Sequence, residues 1–138
     1  MFYTTQMDLD TAGNFSVVNV TDKVRDFVAS TGVNHGQVLV FYKHTTGAVI
    51  LGEHEAGIIA DMQEMFERLA PVSHEYKHHL KAVDFNGHAH MRSALMTINV
   101  IVPIFDGELL LGRYQEILVI DDQTEIAPRH LVIQVCGE

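Results

Sequence analysis

Apolar and polar positions alternate over residues 2–9 and again over 14–20, with the turn cluster Thr11-Ala12-Gly13-Asn14 between them, which predicts two strands joined as a first hairpin. The period then changes. Val24, Phe27 and Val28 recur at helical spacing behind Thr21 as N-cap and Asp22 in the first turn, and Gly32 is placed to end the helix as a left-handed C-cap. Residues 37–43 are a compact β-prone run, residues 46–52 are another, and His44-Thr45 lies between them. After the acidic loop Glu53-His54-Glu55-Ala56-Gly57 comes the clearest helix of the chain. Ile58, Met62, Met65, Phe66 and Leu69 mark its apolar stripe, and it stops before Pro71.

Residues 72–83 show no period and read as a loop or lid carrying His74, His78 and His79 around Tyr76. Asn86-Gly87 is a turn signal, and a short helix is expected over 91–97. Strands follow over 98–105, 108–114, 116–121 and 129–136, with Asp106-Gly107 the strongest hairpin signal and Pro103 marking an edge or a bulge. Seven or so strands, mostly joined by hairpins, with two or three helices, predict an α+β fold. Antiparallel sheets with the helices on one face, in a single domain over residues 1–138, are the simplest arrangement.

Composition narrows the possible partners. The net charge of −9 disfavours nucleic acid and anionic membranes, while a bound cation can still admit a small phosphorylated metabolite. A single cysteine, Cys136, excludes an internal disulfide, and no CxxC spacing exists. No apolar run approaches the roughly 20 residues of a membrane helix, and Met1 to Asp10 has no leader pattern, so a cytoplasmic protein is expected. Neither GxGxxG nor GxxxxGK[ST] is present.

Chemistry concentrates in Asp84-Phe85-Asn86-Gly87-His88-Ala89-His90. Taken as extended, this segment puts His88 and His90 on one face, reaching for one point as a pair of neutral imidazoles suited to Zn²⁺ or a similar transition metal. Asp61 falls at the edge of the stripe on its helix and is the acid there best placed to look inward; pairing with Arg68 is its ordinary alternative. Histidines 35, 54, 74 and 130 read as surface residues.

Five motifs in order then connect these residues: HTTGAV at 44–49, EHEAGIIAD at 53–61, YKH at 76–78, NGHAHMRS at 86–93 and VPIFDGELLLGRYQ at 102–115. From about residue 36 to the carboxyl terminus the chain resembles the YjbQ-like family, also called secondary thiamine-phosphate synthase proteins. Tyr114 stands where that family usually has Trp, and Met96-Thr97 replaces a usual Leu-Gly. The resemblance implies a small α+β protein with a sandwich-like antiparallel sheet, assembling as a homotrimer. It also implies a His-rich pocket able to hold a metal ion, and a thiamine-phosphate-forming activity.

With that resemblance in place, His78, His88 and His90 are expected to ligate one divalent metal (Zn, with Mg or another transition metal as alternatives), leaving a position open. Exchanging His78 for His44 gives the alternative set. Otherwise His44 serves as a general acid or base, and Asp61 or Glu53 orients an imidazole or accepts a proton. Thr45, Thr46, Asn86, Gln115 and Arg129 are the candidate substrate and phosphate contacts. Three functions fit: a transferase joining a pyrimidine pyrophosphate to a thiazole phosphate, a metal-dependent hydrolase of a small phosphorylated substrate, and a non-catalytic metabolite-binding module.

Overall fold

A computed structural model of the protein describes residues 1–80 and 84–138. The strands are β1 (Phe2–Leu9), β2 (Ser16–Asn19), β3 (Gly36–Tyr42), β4 (Gly47–Gly52), β5 (Asn99–Phe105), β6 (Glu108–Leu109), β7 (Glu116–Asp121) and β8 (Arg129–Gly137). The helices are α1 (Thr21–Thr31), α2 (Ala56–Leu69) and α3 (Gly87–Leu95), with a 3-10 turn at Lys77–Leu80. The expected α+β class holds. One sheet runs β1-β8-β3-β5-β6 and the other β2-β7-β4, and every pairing is antiparallel.

The main core lies between the two sheets. Val38, Val40 and Tyr42 of β3, Leu131, Ile133 and Val135 of β8, and Val102 and Ile104 of β5 meet Ile117 and Val119 of β7. Val20, Val24 and Val28 add the apolar stripe of α1 to the same cluster. Each such fully buried side chain contributes roughly 1.5–3 kcal/mol. Ile120 faces the other way, into a second cluster with Phe15 and Phe66, flanked by Ile59 and Met62 of α2. The three-stranded sheet is thus covered on both faces, which explains the unbroken apolar run Ile117–Ile120 in an antiparallel strand.

Two expectations change. The first two strands are not a hairpin: β1 pairs with β8 in one sheet and β2 with β7 in the other. The chain crosses between sheets through Gly13, Asn14 and Phe15, all at positive φ, so the turn-forming residues bend the chain without closing a two-strand ribbon. The return from Asp106-Gly107 pairs only over Glu108–Leu109, where a strand to residue 114 was expected.

α2 spans the expected residues, capped by Glu55, whose carboxylate accepts from the Gly57 and Ile58 amides. It turns Ile59, Met62 and Phe66 inward and leaves Ile58, Met65 and Leu69 exposed. That rotation leaves Asp61 in solvent, correcting its expected inward placement. The expected loop over 72–83 contains the 3-10 turn, and its last three residues lie outside the described ones. Among the described residues, no helix is long and apolar enough to cross a membrane.

Candidate functional site

α3 begins earlier than expected, and this decides the geometry of the site. His88 and His90 sit in the helix rather than in a strand, so they point about 200° apart around its axis. They cannot reach one point. His88 and Arg92, one turn apart, form the inner face of α3 and are both buried. His90 lies on the outer side, beside His44 and Thr45.

His90 meets His78 of the 3-10 turn, their ring centroids 4.7 Å apart in an edge-on arrangement. His78 Nε2 lies 3.1 Å from Asn86 Oδ1, and the Asn86 amide donates to Asp84 Oδ2 at 3.0 Å and Gln123 Oε1 at 3.1 Å. Asn86 is therefore a buried bracket behind His78 rather than the expected phosphate contact. The adjacent His79 turns the other way: its Nε2 accepts the Gly87 N–H at 3.0 Å and satisfies an amide at the start of α3. Gly87 is required here because a Cβ would lie 2.6 Å from Cβ and Cγ of Tyr76.

A cavity of about 500 Å³ is lined by His44, Thr45, His90, Met91, Ser93, Ala94, Met96 and Ile98. His44 enters it from the end of β3, packed 4.8 Å from Tyr42 and stacked 5.5 Å from His130, with Nε2 accepting the His130 backbone N–H at 2.8 Å. Ser93 is anchored by donating to the Gly47 carbonyl at 2.7 Å. Burial holds His44 below the usual imidazole range, assisted by the charges of Arg129 and His130. Burial and then the charge of His78 also lower His90, against an opposing pull from Asp84 and the Thr45 backbone. Both rings are therefore neutral near pH 7, the form in which imidazole can accept a proton or a cation.

On the inner face, Arg92 donates to Ala70 O at 3.0 Å, Asp122 Oδ2 at 3.2 Å and Glu67 Oε2 at 2.7 Å. Burial pushes the Asp122 carboxyl up to about 6, against the opposing charge and hydrogen bond of Arg92. Burial, then the Arg92 charge, lowers His88. Arg92, Asp122 and Gln123 carry this architecture, and sequence reasoning missed them. The signal was an arginine one turn after His88 together with the acids ending the apolar run of β7.

Several expected contacts lie elsewhere. His78 and His90 are brought together and His44 shares a cavity with His90, but His88 stands apart from all three. Among the described residues no group of three or more His, Cys, Asp or Glu side chains is placed to hold one ion. Glu53 and Asp61 are exposed and take no part in the cavity's lining. Thr45 lines the cavity, whereas Thr46 is buried and its carbonyl accepts the Asp122 amide at 3.0 Å. Gln115 closes its own turn by accepting the Gly112 amide at 2.8 Å. Arg129 is committed to Asp121 Oδ2 at 2.8 Å and the Glu125 carbonyl at 2.7 Å, and so stabilises β7 and β8 rather than clamping a phosphate. His130 belongs to the site's edge rather than to the open surface: its ring stacks on His44 and pairs with Asp8 at 2.6 Å.

Residues 5–138 match the family described as UPF0047 protein YjbQ-like. A UPF0047 protein of Archaeoglobus fulgidus is 36% identical over 116 residues, 84% of this chain and 88% of that relative. One of Methanothermobacter thermautotrophicus is 31% identical over 115 residues, 83% of this chain and 79% of that relative. Among solved structures, a YbjQ-like protein of unknown function from Sulfolobus solfataricus superposes with a TM-score of 0.94 at 29% identity, covering 100% of this chain and 99% of that one. With the motifs, the two-sheet fold and these likenesses in agreement, the chain belongs to the UPF0047 YjbQ-like family.

Proposed function

We propose that this protein is an enzyme acting on a small phosphorylated metabolite in the cavity of His44, Thr45 and His90, with His78 and His90 holding one divalent cation. The observation that carries this reading is the 4.7 Å approach of two imidazoles from separate elements. Two rings bound to one zinc at about 2.0–2.1 Å stand about 5 Å apart. Two ligands are fewer than a catalytic zinc usually takes from protein, so the remaining positions fall to ligand oxygens, water or a neighbouring chain. When bound, such an ion supplies Lewis-acid polarisation of a phosphoryl oxygen. The chain's own residues bind and orient: the Thr45 hydroxyl is a donor for a phosphate oxygen, His44 presents its ring to the ligand, and Met91, Met96 and Ile98 give the cavity an apolar wall.

Two reactions fit this arrangement. The resemblance points to thiamine-phosphate formation, the joining of a pyrimidine pyrophosphate to a thiazole phosphate. Hydrolysis of a small phosphoester is the second reading. It is favoured by the cavity's lining, where imidazoles stand in place of the carboxylates that Mg²⁺-pyrophosphate chemistry normally uses. Metal-loaded protein assayed with each co-substrate alone and with both separates them. Pyrophosphate release that requires both partners identifies transfer, and phosphate release from one alone identifies hydrolysis. Binding without turnover of any phosphorylated compound contradicts both and leaves a metabolite-binding module.

The assembly belongs to the same reading. The outer face of the five-stranded sheet carries Leu39, Phe41, Val132, Ile101 and Phe105, the last two 52% and 55% exposed. His130, on this face, stacks on His44, so a homotrimer packed through it sets a neighbouring chain beside the cavity.

A further inference from the structure

Three of the site's rings, those of His44, His78 and His79, are held from behind, and what holds them constrains their fronts. A backbone N–H can only donate, so the His130 amide at 2.8 Å obliges His44 Nε2 to accept. The ring proton of neutral His44 is then on Nδ1. The Gly87 amide imposes the same state on His79, whose Nε2 accepts at 3.0 Å. His78 differs. Both Asp84 and Gln123 present oxygens to the Asn86 amide nitrogen, which fixes that side chain's orientation and turns its Oδ1 toward His78. An amide oxygen only accepts, so His78 Nε2 must donate, and the lone pair of the ring lies on Nδ1.

We infer that these contacts lock the histidines in opposite tautomers, so that His44 meets a bound molecule as an N–H donor and His78 meets it as a lone-pair acceptor, with Asn86 the positioning residue for His78. His44 is thereby the group that donates a hydrogen bond to a ligand oxygen. His78 is the group that accepts a proton or a cation. The neighbours His78 and His79 differ in state although they adjoin in sequence. The assignment holds for metal-free protein and stands whether or not the proposed cation binds.

The test is the long-range ¹H–¹⁵N correlation spectrum of ¹⁵N-labelled, chelator-treated full-length protein at about pH 8, above the ordinary imidazole range. Resonances are assigned by their loss in His44→Gln, His78→Gln and His79→Gln proteins. The expected result is the Nδ1–H pattern for His44 and His79 and the Nε2–H pattern for His78. Asn86→Leu is expected to replace the fixed pattern of His78 with an averaged one while leaving that of His44. An Nε2–H pattern for His44 in the wild-type spectrum, or the same tautomer for His78 and His79, overturns the inference even where the Asn86 variants fail to fold.

Discussion

Arg92 is the residue whose loss should be felt most. Its guanidinium is buried between the carboxylates of Asp122 and Glu67 and also holds the Ala70 carbonyl that ends α2. Removing one member of a buried ion pair leaves the other charge without compensation, so Arg92→Ala is expected to cost about 3–5 kcal/mol in urea denaturation at about pH 7. The loss should be smaller at about pH 5, where Asp122 takes up a proton and the stranded charge disappears. His88→Ala is expected to cost less, about 2 kcal/mol, at the low end for truncation of a large buried side chain. The reason is that truncation also removes a buried Nδ1 that has no hydrogen-bond partner. The chemistry-bearing residue types were legible in the sequence, because histidine and threonine in those motifs are unusual. Their brackets were not: nothing in the sequence places Gln123 behind Asn86, 37 positions away.

At the scale of elements, α3 is where local pattern and tertiary structure disagree. Asn86-Gly87 reads as a turn, yet Gly87 is the first residue of a helix, made small by the approach of Tyr76. His-x-His reads as extended, yet Ala89, Met91, Arg92, Ala94 and Leu95 are all strong helix formers, and they carry the expected helix back over the motif. By contrast, α1 ends at Gly32 with φ 71°, as its sequence announces. The separate partners of β1 and β2 were not legible, because sheet partners depend on which buried faces are available rather than on turn residues alone. Gly87→Ala tests the packing of α3 against Tyr76. The added Cβ must displace Tyr76, whose hydroxyl donates to the Pro71 carbonyl at 2.6 Å, and should cost about 1–3 kcal/mol by thermal or urea melting. Unchanged stability would show that α3 and Tyr76 do not pack so closely.

For the molecule as a whole, opposing titrations set the pH dependence. His44, His88 and His90 are held below the usual value of 6.5, so their stabilising contribution is present above that pH and is lost as acid protonates the unfolded chain more readily than the folded one. Asp122, raised from 3.8 to about 6, acts in the opposite sense: its contribution is present below its ordinary value and is lost as pH rises through about 6. Three rings against one carboxyl predict that the urea midpoint of chelator-treated protein falls on acidification below about pH 6.5, and falls more steeply in Asp122→Asn. A midpoint that rises on acidification contradicts this balance. The proposed homotrimer, packed through the exposed apolar row on the outer sheet, predicts a trimer mass by light scattering that Ile101→Glu lowers toward monomer, and a monomer mass for the wild type contradicts that assembly. A trimer mass unchanged by Ile101→Glu contradicts packing through this face.

The division of the NGHAH motif by α3 is tested most directly by elemental analysis of zinc in wild-type, His78→Ala, His88→Ala and His90→Ala proteins, each shown to be folded by circular dichroism. One zinc per chain in the wild type and in His88→Ala, with loss in both His78→Ala and His90→Ala, is the result this account predicts. Loss of zinc from folded His88→Ala protein would contradict it, because the inner ring would then belong to the metal site from which the helix separates it.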